Sequence, residues 1–326
     1  MAVAVDLPPF LHAIAPELAR VEGALGAGFG QYEPLLLEAG GHLFKAGGKR
    51  MRPILVLLWG RALGGIRPGH EILAGALEIL HTATLVHDDV IDRAELRRGL
   101  ASVNHRWDER VSVIAGDFLL AHASYLITTV GINALTALCA LTVKEICDGE
   151  ILQYQGRYNL GLTMERYLHQ IGSKTGALLA CGCEGAALIH GADPAVQAAA
   201  REFGMALGTC FQIVDDLLDF TGDQAAVGKP IGHDLHQGFL TAPVLLALRD
   251  PAIAADLRRH LLAGFEDPDR MEGAVTLIRD SGALNAARRL ADDAAMTARG
   301  RLDALATGQA RVELENLVDY VLRRDR

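Results

Sequence analysis

The chain has 326 residues, enough for one large domain or two small ones. Half of the residues are hydrophobic, so a sizeable core is available. The net charge of -9 argues against a general nucleic-acid binder. Five cysteines, Cys139, Cys147, Cys181, Cys183 and Cys210, are odd in number and form no Cys-x-x-Cys pair. They read as reduced thiols of a cytoplasmic protein, with "CGC" at 181–183 as small-residue helix packing.

The N-terminal stretch "MAVAVDLPPFLHAIAPEL" has no basic start and no long apolar run, so it reads as neither a secretory signal nor a transit peptide. Strand signals are scarce from there on. Helical spacing rich in Ala and Leu runs through nearly the whole chain. "AGGK" at 46–49 precedes one helix, and Pro68 and Gly69 of "IRPGH" precede a long one reaching about Asp92. In "GADP" at 191–194, Asp193 reads as an N-cap and Pro194 as a first-turn proline. The helix they open is expected to run to about Thr221 and stop at Gly222. "TGD" at 221–223 and "RDPA" at 249–252 supply further breaks. Apolar runs are interrupted by charge before about 18 residues, too short for a membrane span. No linker, repeat or low-complexity tract divides the chain, which predicts one all-α domain over residues 1–326.

Three carboxylates stand in an apolar segment, "LVHDDVIDRAELRRG" from Leu85 to Gly99. On a helix Asp88 and Asp92 are i and i+4 and share a face. Both lie near the helix C-terminus, where the macrodipole disfavours anions. Burying uncompensated carboxylates is expensive. Arg97 and Arg98 follow the helix rather than face it, so a divalent cation is the better remedy. All-oxygen ligands favour Mg²⁺, which completes its shell with water and phosphate. Taken alone, this segment fits a solvated helix end equally well. A second copy changes the balance: "FQIVDDLLDFTGD" at 211–223 repeats the pattern with Asp215, Asp216 and Asp219. Two such clusters facing each other would hold several Mg²⁺ ions around a diphosphate.

Cations complete the set. "KAGGKRMRP" at 45–53 offers Lys49, Arg50 and Arg52 beside two glycines, and arginine binds phosphate oxygens bidentately. Glu78 and His81 lie upstream of the first aspartates, His81 seven residues before Asp88 and on roughly its face. Lys174 in "GSKTG" and Lys229 in "GKPIG" are further cations, each ordinary when taken alone.

With both motifs in place, the chain resembles the trans-isoprenyl diphosphate synthases, or polyprenyl synthetase family, from about Gly40 to the C-terminus. The matching pieces are "GGKRMRP", "EILHTATLVHDDVID", "ELRRG", "AGDFLL", "GEILQ", "SKTGALL", "FQIVDDLLDFTGD", "GKPIGHDL" and "LTAPVL". The resemblance implies an all-α fold of antiparallel helices around a deep central apolar cavity, usually as a homodimer. It implies that Lys49, Arg52, His81 and Arg98 bind isopentenyl diphosphate. Arg97, Lys174, Thr175, Gln212 and Lys229 would hold an allylic diphosphate. Asp88, Asp92 and Asp215 would ligate Mg²⁺, with Asp89, Asp216 and Asp219 in support. One departure is visible: Phe239 stands where the family often carries a lysine that contacts the allylic diphosphate.

The reaction so implied is ionisation of the allylic diphosphate, attack by the isopentenyl double bond and loss of a proton. Growth would push the product tail past the residues one turn before Asp88, Ala83 and Thr84. Both are small, so the expected product exceeds C20, with a floor deeper in the cavity near Tyr125. The competing readings are a short-chain geranylgeranyl or farnesyl diphosphate synthase, and a class I terpene cyclase. The second "DDLLD" and the isopentenyl-site cations speak against the cyclase. A squalene-type synthase would show spaced Asp-x-x-x-Asp motifs, and a His-Asp phosphohydrolase would leave the second cluster unexplained. A non-catalytic partner subunit could lose its aspartates, yet both sets are present.

Overall fold

The computed structural model describes residues 8–25, 28–221, 231–264 and 268–324. Helices dominate them, as the Ala- and Leu-rich spacing predicts. In chain order they are α1 (Ala15–Ala24), α2 (Pro34–Gly41), α3 (Met51–Ala62), α4 (Pro68–Ile91), α5 (Val103–Arg106) and α6 (Glu109–Thr129). Then come α7 (Asn133–Gly156), α8 (Met164–Ile171), α9 (Ala177–His190) and α10 (Pro194–Thr221). The remainder are α11 (His233–His236), α12 (Ala242–Ala247), α13 (Ala254–Gly264), α14 (Pro268–Asp280), α15 (Ala283–Arg301) and α16 (Gln309–Leu322). The two long helices carrying the aspartates have the expected bounds. Gly222, the expected stop of α10, lies outside the described residues. Among the described residues the one departure from all-helix is a hairpin of two two-residue strands, β1 (Leu96–Arg97) and β2 (Leu100–Ala101), paired antiparallel.

The residues group into two compact units. The first comprises Met1–Leu141, Cys181–Arg201 and Ala304–Leu314. Its centre is α3, buried from Pro53 to Gly60, together with the inward face of α4. Arg67 stands in extended conformation as the N-cap of α4, and Pro68 follows as a first-turn proline. His70 closes a capping box there: its Nδ1 accepts the Arg67 N–H at 2.8 Å. The ring is fully buried, with Nε2 3.1 Å from the Ala186 carbonyl.

The second unit comprises Thr142–Ala180, Glu202–Asp303 and Glu315–Arg326. Between α8 and α9 the chain makes a π-helical turn, Gly172–Gly176, closed by the Ala177 N–H on the Gly172 carbonyl. Backbone packs directly on this turn and on the helix that follows it. A Cβ on Gly149 would lie 2.6 Å from Lys174 N, and one on Gly208 2.5 Å from Gly176 Cα. Only glycine allows approaches this close.

One expectation fails on α6. Its 21 residues are long and apolar enough to cross a membrane, with 33% of the apolar window buried. A single mid-helix carboxylate, Asp117, does not lower the average enough to break the run. Tyr125, expected near a cavity floor, is 64% exposed on this same helix. It shares the exposed surface with Val113 and Ile114.

Candidate active site

The first aspartate motif ends α4. Asp92 is its C-cap, and the Asp92 N–H donates to the Asp88 carbonyl at 2.8 Å. The three side chains differ in environment. Asp88 is half-buried, Asp89 is fully buried and Asp92 is exposed. Asp89 is held by Arg97, whose Nε donates to Oδ1 at 2.7 Å. Arg97 therefore turns back onto the helix, contrary to the sequence reading. The cause is the hairpin turn: Arg98 (φ 52°) and Gly99 (φ 78°) both take positive φ, the signature of a tight two-residue turn. Burial raises the Asp89 carboxyl above the usual carboxylate range, although Arg97 opposes the shift.

The same turn sends the exposed Arg98 to the Gly47 carbonyl of the "AGGK" loop. Arg50, Arg52, Arg97 and Arg98 all surround His81 closely enough to disfavour its protonation. Burial is the larger cause, and together they hold His81 well below its ordinary range. Arg52 is pushed down to about 10, first by burial, with Arg98 adding to the effect and Glu78 opposing it. Lys49 is exposed beside them. The structure thus brings Arg52, His81 and Arg98 into one basic corner of the first unit, with Lys49 next to Arg50 in the chain.

Arg50 does a different job from its neighbours. It is 3% exposed and donates through Nη1 to Glu78 Oε1 at 2.9 Å. Its Nη2 donates to Glu22 Oε2 at 3.1 Å. It is a buried structural cation, not a phosphate ligand in waiting. Beside it Arg52 Nε and Glu78 Oε2, and farther along α4 Asp89 Oδ2, are buried and make no hydrogen bond among the described residues. Buried polar atoms are normally satisfied, so unused donors and acceptors in a basic corner fit a site built for a polar ligand.

The second motif lies on the last turns of α10, again as predicted. Asp216 is 2% exposed and receives the Tyr167 hydroxyl, while Gln212 Nε2 donates to its Oδ1 at 3.0 Å. Thr175 Oγ1 donates to Gln212 Oε1 at 3.0 Å. Thr175, Gln212, Asp216 and Tyr167 therefore form one chain of hydrogen bonds. Burial pushes the Asp216 carboxyl up to about 7, against the hydrogen bonds from Tyr167 and Gln212. Asp219 accepts the Asp234 N–H through Oδ2 at 3.2 Å. Asp215 is half exposed and pairs with Arg324 at 3.0 Å. Lys174, in the π-helical turn, pairs with Glu150 at 2.5 Å and donates to Gln153 Oε1 at 2.6 Å. Lys229 lies outside the described residues.

Phe239, the departure from the family pattern, lies against another cation. The Arg157 guanidinium sits 5.0 Å from its ring centre and donates through Nε and Nη2 to the Gln237 carbonyl at 2.9 and 2.7 Å. Sequence reading assigned no role to Glu22, Tyr167, Arg157 or Arg324. Glu150 and Gln153 belong to "GEILQ", one of the segments that match the family. Their spacing from Lys174, 24 and 21 residues, is the sole signal, and it becomes legible only after folding.

The donors suit Mg²⁺. Asp88 and Asp92 offer hard oxygens one turn apart at a helix end, and Asp215 offers another on a half-exposed carboxylate. Among the described residues no three His, Cys, Asp or Glu side chains gather as a closed metal cage. Mg²⁺ is usually bound by one or two carboxylates, water and substrate phosphates rather than by such a cage.

Comparison with known proteins fixes the family. The polyprenyl synthetase model matches residues 33–278. The chain belongs to the polyprenyl synthetase family. It is 38% identical over 291 residues to heptaprenyl diphosphate synthase component 2 of Bacillus subtilis, covering 89% of this chain and 83% of that one. It is 36% identical over 326 residues to the chloroplastic solanesyl-diphosphate synthase 2 of Oryza sativa subsp. japonica, covering 98% and 80%. The crystal structure of a decaprenyl diphosphate synthase from Rhodobacter capsulatus superposes with a TM-score of 0.90 at 38% identity, over 97% and 98% of the two chains. The all-helical polyprenyl synthetase fold and the trans-prenyltransferase class follow.

Proposed function

We propose that this polyprenyl synthetase condenses isopentenyl diphosphate with an allylic diphosphate, in a Mg²⁺-dependent reaction, to an all-trans polyprenyl diphosphate longer than C20. The observation that carries this reading is that an aspartate motif ends each of the long helices α4 and α10, in a chain that also holds a basic corner around His81. The names of the similar proteins, heptaprenyl, solanesyl and decaprenyl synthases, support the long product. So does Ala83, a small side chain that is 2% exposed on α4, with the half-buried Thr84 beside it.

In this reading the whole chain works as one synthetase domain. Asp88, Asp92 and Asp215 hold Mg²⁺. Mg²⁺ held there would supply the charge neutralisation that makes the allylic diphosphate a leaving group. Asp89, pinned by Arg97, fixes the end of α4. Asp216, pinned by Tyr167 and Gln212, does the same for α10, and Asp219 ties that helix to Asp234. Lys174 and Thr175 grip the allylic diphosphate from a backbone that close packing keeps rigid, with Arg97, Gln212 and Lys229 as further contacts. Lys49, Arg52, His81 and Arg98 hold isopentenyl diphosphate. His81, neutral at physiological pH, donates one N–H without adding a charge. Apolar walls keep water from the allylic cation. The departing diphosphate takes the proton, so no side-chain base is required.

Exposed Val113, Ile114 and Tyr125 on α6 suit burial against a second copy, and the working enzyme is a homodimer rather than an integral membrane protein. Five cysteines without a disulfide among them suit the cytoplasm. The test is incubation with labelled isopentenyl diphosphate and C10, C15 and C20 primers, with and without chelator, followed by sizing of the products. Mg²⁺-dependent products beyond C20 are expected. Products ending at C15 or C20 would move the protein to the short-chain class, and cyclised hydrocarbons would move it to the cyclases.

A further inference from the structure

The strongest feature not used by this reaction lies on the second aspartate motif. Phe211 and Asp215 are i and i+4 on α10 and share a face. Arg324, just beyond α16, lies on that face. Its guanidinium carbon is 4.4 Å from the Phe211 ring centre, and Nη2 donates to Asp215 Oδ1 at 3.0 Å. The Arg324 side chain is 9% exposed, whereas Asp215 is 50% exposed. The arginine is therefore packed in place by stem and ring, and the carboxylate is not. Guanidinium is weakly hydrated and stacks well on aromatic faces, so it tolerates this position better than an ammonium would.

The charge of the site explains why a cation is wanted. Asp215, Asp216 and Asp219 crowd the C-terminal end of α10, where the helix dipole adds further negative potential. Asp216 and Asp219 are occupied by Tyr167, Gln212 and the Asp234 N–H. Asp215 faces outward, and Arg324 neutralises it. A Mg²⁺ ion about 2 Å from Oδ1 would take the oxygen that Arg324 now holds, so ion and guanidinium compete for it.

We propose that Arg324 is a built-in counter-cation for Asp215: it occupies this carboxylate before metal binds, and the divalent ion must displace it. This rests on Asp215 being a metal ligand. The full-length protein without substrate would be titrated with Mn²⁺, a paramagnetic stand-in for Mg²⁺, and free ion counted by electron paramagnetic resonance. Arg324→Gln removes the charge and keeps most of the stem. Asp215 is half exposed to solvent, so loss of its pairing releases up to ~1 kcal/mol, as for a surface ion pair, or about fivefold in affinity. Arg324→Gln should bind Mn²⁺ about fivefold more tightly, and need correspondingly less Mg²⁺ for half-maximal turnover. Equal or weaker Mn²⁺ binding, in a variant whose urea midpoint matches wild type, overturns the proposal. Asp215→Asn separates the two levels of the argument. If it leaves Mn²⁺ binding unchanged, the assignment of Asp215 as a ligand falls. If it weakens binding while Arg324→Gln does nothing, only the role of Arg324 falls.

Discussion

Arg50→Met tests whether the buried cation of the basic corner is structural or catalytic. Arg50 and Glu78 side chains are each 2% exposed, and Glu22 is 12% exposed. Methionine keeps an unbranched stem at the same left-handed backbone position, φ 50°, so backbone strain is common to both chains. What changes is charge. Glu78 Oε2 already lacks a hydrogen bond, and loss of Arg50 would strip Oε1 as well. Removing one partner of a buried ion pair costs about 3–5 kcal/mol, a large share of the about 5–15 kcal/mol that holds a typical domain together. Urea denaturation followed by circular dichroism reads this directly. The double variant Arg50→Met/Glu78→Leu removes the stranded charge and should recover at least half of the loss. If Arg50→Met costs under about 1 kcal/mol, or the double variant is no better than the single, the buried-pair reasoning fails. Enough protein should survive in mild conditions to measure kinetics, and KM for isopentenyl diphosphate should stay within about twofold of wild type.

Three further outcomes are expected. Arg52→Ala should raise KM for isopentenyl diphosphate far more than KM for the allylic partner, and Lys174→Ala should do the reverse; equal effects on both constants would undo the division of cations. Ala83→Phe places a ring at a position that is 2% exposed on α4; chromatography should show shorter products with the first condensations retained, and unchanged length would refute the tunnel argument. His70 is held down at about 4 against an ordinary 6.5, chiefly by burial, with His190 and the Arg67 charge adding to the effect and the Ala186 carbonyl opposing it. Its contribution is complete above pH 6.5 and is lost as pH falls towards 4, because the unfolded chain takes up a proton that the fold refuses. The drop in stability from pH 7 to pH 5 should be about 2 kcal/mol larger in wild type than in His70→Gln; identical slopes would rule this out.

Local signals carried the outline of this molecule. Pro68 and Pro194 open the two long helices because proline suits a first turn, and the aspartates at their far ends stand out because carboxylates are costly there. What escaped reading depends on contacts made across long stretches of sequence. Arg97 reaches Asp89 only because Arg98 and Gly99 take positive φ, a turn whose one visible sign was Gly99. Arg50 looks like its neighbours Lys49 and Arg52 in sequence, yet two glutamates 28 residues away on either side claim it. The partnership of Tyr167 with Asp216 spans 49 residues, and nothing in the local pattern of α8 announces it. Charge interrupts the apolar runs in sequence, yet α6 keeps an average apolar enough to span a membrane, because hydropathy sums over the whole helix and a lone Asp117 weighs little in it.

The π-helical turn at Gly172–Gly176 bears on any comparison made by helical phase. An α-helix advances about 100° per residue, and an i→i+5 turn inserts one residue beyond the regular count. A wheel drawn without interruption from α8 into α9 is therefore about one residue out of phase on the far side. α9 is buried at every position from Ala177 to Cys183, so its own pattern of burial gives no mark by which such a diagram could be corrected. Alignments that close this extra residue as a gap would rotate every side chain of α9 by the same angle. Deleting Ser173 should have that effect in the protein itself, turning one helix against its neighbours with no change of residue type anywhere along it.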